Sequence, residues 1–127
     1  MAKILIVDDD VGLVESFSEI LEEHAYTTVR ASNGEECFLK AKSEKPDLIL
    51  LDVMMVKENE GFEVAKRLRA DKETRHIPVI LVTGIRKAKN LPFGFEPDDD
   101  WLPVTAVLEK PVPPEALLAH IAAALKK

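Results

Sequence analysis

Three aspartates, Asp8, Asp9 and Asp10, end the first apolar run of the chain, "KILIVDDD". Another, Asp52, directly follows "LILL". Thr83 closes "IPVILVT", and Lys110 follows "AVLE". Carboxylates gathered at one place cannot all stay ionised without a raised pKa or a compensating cation. Hard oxygen ligands of this kind suit Mg²⁺, which takes one or two carboxylates, keeps waters and accepts phosphate oxygens. A carboxylate beside such an ion can attack phosphorus and form an aspartyl phosphate. A phosphoryl group in transfer carries three equatorial oxygens. The metal, the Thr83 hydroxyl and the Lys110 ammonium would answer one each. Any one of these residues alone reads as part of a structural ion pair, which also perturbs pKa. Asp8, Asp9, Asp52, Thr83 and Lys110 at one edge read as a site.

That gathering requires elements that place them. The short apolar runs are 4–7, 27–31, 48–51, 77–83 and 106–109. They are mostly apolar on both faces, as strands of a covered parallel sheet should be. Between them lie helical patterns. Leu13, Val14, Phe17, Ile20 and Leu21 form one stripe. Ser32 and Glu35 have capping-box spacing before a second, with Phe38 and Ala41 facing inward. Phe62, Ala65 and Leu68 mark a third. Pro113–Pro114 starts a fourth, with Leu117, Leu118, Ile121 and Leu125. The alternation predicts an α/β fold with right-handed crossovers: a flavodoxin-like, doubly wound, five-stranded parallel sheet of order 2-1-3-4-5. Ligands in such sheets bind beyond the carboxyl ends of the strands, where strands 1 and 3 meet. Segment 84–105 holds Pro92, Pro97 and Pro103 and no sustained helical stripe. The helix between strands 4 and 5 is therefore expected to be short or replaced by a loop, pinned by Phe93, Phe95, Trp101 and Leu102.

The bulk numbers agree with one domain over residues 1–127. A chain of this size buries about two-thirds of its unfolded surface. Its net charge of −6 disfavours general nucleic-acid binding, which needs a basic face. The single cysteine, Cys37, permits no internal disulfide and is expected as a small core residue. There is no signal-peptide pattern and no apolar run near the ~20 residues of a membrane span, so the expected location is cytoplasmic. His24, His76 and His120 lack ligand spacing and are expected at the surface.

The stretches "ILIVDDD", "PDLILLDVMM", "GFEV", "IPVILVTG" and "LEKP" resemble, in order and spacing, the receiver domain of two-component response regulators. The resemblance implies that Asp52 is the phosphoacceptor. It makes Asp9 the direct Mg²⁺ ligand, with Asp8 assisting, and Met54 a ligand through its backbone carbonyl. Thr83 becomes the switch hydroxyl and Lys110 the phosphate-binding lysine, with a cis bond often found before the next proline, here Pro111. Asp10 has no core role and is expected to cap the first helix. The implied activity is a phosphoacceptor switch that takes a phosphoryl group from a phosphohistidine and slowly loses it again, rather than a turnover enzyme. The implied partner is a sensor histidine kinase or histidine phosphotransfer protein. Output would pass through protein contacts, or the chain is a piece of a longer protein.

Two other classes remain beside it. A Mg²⁺-dependent phosphatase or phosphotransferase of the haloacid-dehalogenase kind wants an aspartate two residues after the nucleophile, where this chain has Met54. A flavodoxin-like cofactor binder wants a Ser/Thr/Gly loop after strand 1, where this chain has "DDDVG".

Three departures from the family pattern stand out. Val56 replaces a common proline, in a stretch to Gly61 one residue longer than usual. Val107 stands where an aromatic residue is usual. The connection from Thr83 to Lys110 is long and proline-rich. Phosphorylation is expected to shift segment 84–105 between docked and loose states. Hydrogen exchange on the apo and beryllofluoride-treated protein tests this, and unchanged protection across 84–105 refutes it.

Overall fold

A computed structural model describes residues 2–8, 11–52, 60–83, 106–109 and 112–125, though not the side chains of 11, 52, 60–63, 83, 106–107 and 109. The elements in order are β1 (Lys3–Val7), α1 (Val11–Glu23), β2 (Thr27–Ala31), α2 (Gly34–Glu44), β3 (Leu48–Asp52), α3 (Glu60–Ala70), β4 (Val79–Thr83), β5 (Ala106–Glu109) and α4 (Pro114–Leu125). The strands form one sheet of order β2-β1-β3-β4-β5, the order expected from the alternation. Every pairing is parallel. The expected loop or short helix between β4 and β5 falls outside the described residues, as does the Asp10 cap.

Both sheet faces are covered, and the strand sequences show why. Along β1, Leu5 and Val7 join a cluster with Ala31, Cys37, Ala41, Val64, Ala65 and Leu68 under α2 and α3. Ile4 and Ile6 join the opposite cluster with Val14, Phe17, Leu21, Leu117 and Ile121 under α1 and α4. β3 divides likewise, Ile49 and Leu51 against Leu48 and Leu50. A strand apolar at every position has two cores to serve. Because side chains alternate with period two, a slip of one residue would exchange the two sets between cores, so packing fixes the register.

Helix ends are set by specific bonds. The N-cap of α2 is Asn33, whose side-chain oxygen accepts the Glu36 N–H at 2.8 Å. The capping box expected at Ser32 and Glu35 is therefore displaced by one residue. Glu36 reaches back to Ser32, and Glu35 pairs with Arg67 of α3 instead. Phe38 is half-buried, with the Arg67 guanidinium 4.2 Å from its ring centre and the Lys42 ammonium at 5.3 Å. Cys37 is fully buried, and burial pushes its thiol pKa up to about 12. The three histidines are exposed, as expected.

Helix α1 closes with a Schellman pattern. Tyr26 N–H donates to the Leu21 carbonyl at 3.0 Å, and Ala25 N–H to that of Glu22 at 3.3 Å. The residue in the left-handed position is Ala25, with φ 70. Glycine is the usual occupant because a Cβ there meets the following carbonyl. Ala25→Gly removes that clash but adds freedom to the unfolded chain, for a net stabilisation of about 0.5–1 kcal/mol. Thermal unfolding should then shift upward by about 2–4 °C; a lower midpoint would contradict the reading.

Candidate functional site at the carboxyl edge of the sheet

The register places the acidic strand ends side by side. Val7 pairs with Ala31 and Leu51, and Leu51 pairs with Leu81. Asp8 directly follows Val7, and Asp52 directly follows Leu51. The two backbones thus end level on adjacent strands, about 4.8 Å apart by the spacing of a sheet. Asp52 itself pairs with Val82. Thr83 lies one residue further along β4 and pairs with Glu109 of β5. Lys110 follows Glu109 in the chain but lies outside the described residues, as do Asp9 and Met54. The described backbone therefore brings Asp8, Asp52 and Thr83 to one edge of the sheet.

Asp8 is the best-described member. It is buried, only 5% exposed, and its N–H donates to the Ala31 carbonyl at 3.1 Å. A carboxylate so deep needs hydrogen bonds or a cation to offset its desolvation. It also lines a cleft of about 200 Å³ with Val14, Arg30, Ala31, Ser32, Glu36 and Lys40. Around that cleft, Glu36 Oε1 accepts from both the N–H and the hydroxyl of Ser32, at 2.8 and 2.9 Å. These two bonds, the backbone one first, and then Lys40 hold the Glu36 carboxyl below its usual 4.5. Glu36 and Lys40 were not singled out from sequence. The signal was present: Asn33 and Glu36 have N-cap spacing, and Glu36 and Lys40 are an i,i+4 pair.

Among the described residues no three His, Cys, Asp or Glu side chains gather closely enough to hold a metal. Neither Asp9 nor the Asp52 side chain is among them. What is described fits a divalent cation: a buried carboxylate at a strand end, level with the backbone of a second aspartate. Such oxygen donors are the kind Mg²⁺ accepts.

Residues 4–122 match the family description "Response regulator receiver domain". The chain belongs to the response regulator receiver family. It is 37% identical over 125 residues to Protein PilH of Pseudomonas aeruginosa, covering 98% of each chain. It is also 37% identical to the alkaline phosphatase synthesis transcriptional regulatory protein PhoP of Bacillus subtilis. That match covers 98% of this chain but 49% of PhoP, so the chain spans about half the length of that relative. Among solved structures it is similar to chemotaxis response regulator CheY4 of Vibrio cholerae, with TM-score 0.82, 30% identity and coverage of 98% and 99%. A CheY-like receiver domain protein from Methanospirillum hungatei gives TM-score 0.80 and 30% identity, with coverage of 99% and 94%. As a receiver domain, this chain is a phosphoacceptor signalling switch of two-component systems. No described helix is long and apolar enough to cross a membrane.

The depressed Glu36 pKa gives a pH signature. A carboxyl group with a lowered folded pKa contributes stability above its unfolded value, lost as pH falls through the folded one. The difference in urea midpoint between wild type and Glu36→Gln should be present above pH 4.5, the group's usual value, and fade at lower pH. A difference constant across the acid range would assign it to something other than the carboxylate charge.

Proposed function

We propose that residues 1–127 form one receiver domain in which Asp52 is the phosphoacceptor. The observation that carries this reading is the register: buried Asp8 and the backbone of Asp52 end level on neighbouring strands at the ligand-binding edge. Asp8, Asp9, Asp52 and the Met54 carbonyl hold Mg²⁺. When bound, that ion supplies positive charge that offsets the phosphoryl oxygens and the clustered carboxylates.

The donor is a phosphohistidine on a sensor histidine kinase or histidine phosphotransfer protein. An oxygen of the Asp52 carboxylate attacks phosphorus, forming the new P–O bond as the P–N bond breaks. The departing imidazole nitrogen keeps the electron pair and takes up a proton. Thr83 donates its hydroxyl hydrogen to one phosphoryl oxygen, and the Lys110 ammonium donates to another. Water later attacks phosphorus, breaking the bond to Asp52, releasing inorganic phosphate and restoring the carboxylate, so the chain resets itself rather than turning over a pool of small substrate. The chain works in the cytoplasm, where kinase catalytic domains and their ATP are found.

Incubation with acetyl phosphate and Mg²⁺ should add one phosphate mass increment to the wild type and none to Asp52→Asn. Omitting Mg²⁺ should abolish it. Equal incorporation by both proteins would remove Asp52 from its assigned role.

A further inference from the structure

The end of β2 carries bonds that converge on Asp8. β2 is an edge strand, so its outward backbone groups have no further strand to meet. The Arg30 carbonyl accepts from Lys40 Nζ at 2.5 Å. The next carbonyl, that of Ala31, accepts the Asp8 N–H. The next residue, Ser32, gives both its N–H and its hydroxyl to Glu36 Oε1. Glu36 Oε2 lies 3.5 Å from Lys40 Nζ. Three consecutive residues at the end of β2 are thus tied. Two side chains one helical turn apart on α2 flank the bond that reaches Asp8.

The helix that carries these side chains is itself anchored. Asn33 caps it, and Gly34, Cys37 and Ala41 are buried beneath it. It presents Glu36 and Lys40 from a fixed base. As an ion pair the two would matter little, since the side chains are 39% and 35% exposed. Their bonds to the strand backbone are different. Each is charge-assisted: Lys40 holds the peptide that precedes Ala31, and Glu36 holds the N–H of the same planar peptide that carries the Ala31 carbonyl.

We propose that Glu36, assisted by Lys40, is a positioning residue for Asp8. It holds the end of β2 so that the Ala31 carbonyl receives the Asp8 N–H, which fixes the height of the buried Asp8 carboxylate beside the end of β3. The inference rests on the reading of Asp8 as a metal-holding residue. Magnesium demands near-ideal octahedral geometry, so a small displacement of an oxygen donor lowers affinity. Groups behind the donors set that placement.

The test measures two quantities on the full chain: hydrogen exchange at the Asp8 amide without metal, and magnesium chloride affinity by chemical-shift titration. Glu36→Ala should speed Asp8 exchange and weaken magnesium binding by about tenfold, the lower end of what outer-shell partners contribute. Glu36→Gln should recover most of both, because its amide oxygen still accepts from Ser32. Thr74→Ala is the control. It removes a buried hydroxyl bond to the Leu68 carbonyl before β4, at the opposite edge of the sheet, and should change neither quantity. Unchanged Asp8 exchange in Glu36→Ala overturns the proposal, as does an equal magnesium loss in Thr74→Ala. A wild type with no magnesium response overturns the site reading instead, and Asp8 exchange alone then decides the clamp.

Discussion

The molecule depends on a parallel register that seats β1 against β3 with Val7 beside Leu51. That pairing makes two aspartates neighbours, which is electrostatically unfavourable on its own. The register is held by burial rather than by the charges. Ile4, Leu5, Ile6, Leu48, Ile49, Leu50 and Leu51 are essentially fully buried. Each such side chain contributes about 1.5–3 kcal/mol relative to exposure. The effective penalty for burying one carboxylate is several kcal/mol, so two or three of these residues offset it. A slip of one residue would cost far more, because it would exchange the side chains of two separate cores. The hydrophobic pattern therefore brings the two strand ends together, and a cation bound at that edge would relieve the repulsion.

Helix α2 illustrates how little surface charge does for stability. Glu35–Arg67, Lys42–Asp71 and the cations around Phe38 join it to α3 and the turn beyond. Exposed pairs of this kind contribute about 0–1 kcal/mol each, and an exposed cation–π contact about 0.5–1. Cys37 and Ala41 beneath the helix decide where it sits. That buried face also fixes which way α2 is turned, so that Glu36 and Lys40 reach β2 while Glu35 meets Arg67 of α3.

The parts of this arrangement that were legible in the sequence are those with a one-dimensional signature. Apolar runs with little alternation marked the central strands, less so β2 with its Thr27, Thr28 and Arg30, and acids followed β1 and ended β3. The capping of α2 was misplaced because "SNGEE" contains two overlapping boxes, Ser32 with Glu35 and Asn33 with Glu36. Only tertiary packing chooses between them: the observed register buries Gly34, Cys37 and Ala41 and lets Glu35 meet Arg67. The end of α1 was equally silent, because Ala25 occupies a position for which glycine is the usual marker. Asp8 was legible as an acid at a strand end, but the bonds behind it through Ala31, Ser32 and Glu36 were not, since they join three elements. The roles assigned to Asp9, Met54 and Lys110 lie outside the described residues.

The row across the sheet bears on how a phosphorylated state would be read. Val7, Leu51, Leu81 and Val107 are successive partners across four strands. Val107 stands where the family pattern has an aromatic residue. Valine has one side-chain torsion and one strongly preferred rotamer in many settings, so it lacks the swing of a ring. Transmission of a state requires an element with two discrete arrangements. The central strands, packed on both faces, have no such alternative at low energy. The edge strand β2 differs: side chains of α2, rather than another strand, meet its outer backbone. Contacts of that kind rearrange without breaking a core. The same clamp that sets Asp8 therefore connects the site physically to the outer face of α2, where Leu39 is the one large hydrophobic side chain among the described residues left exposed.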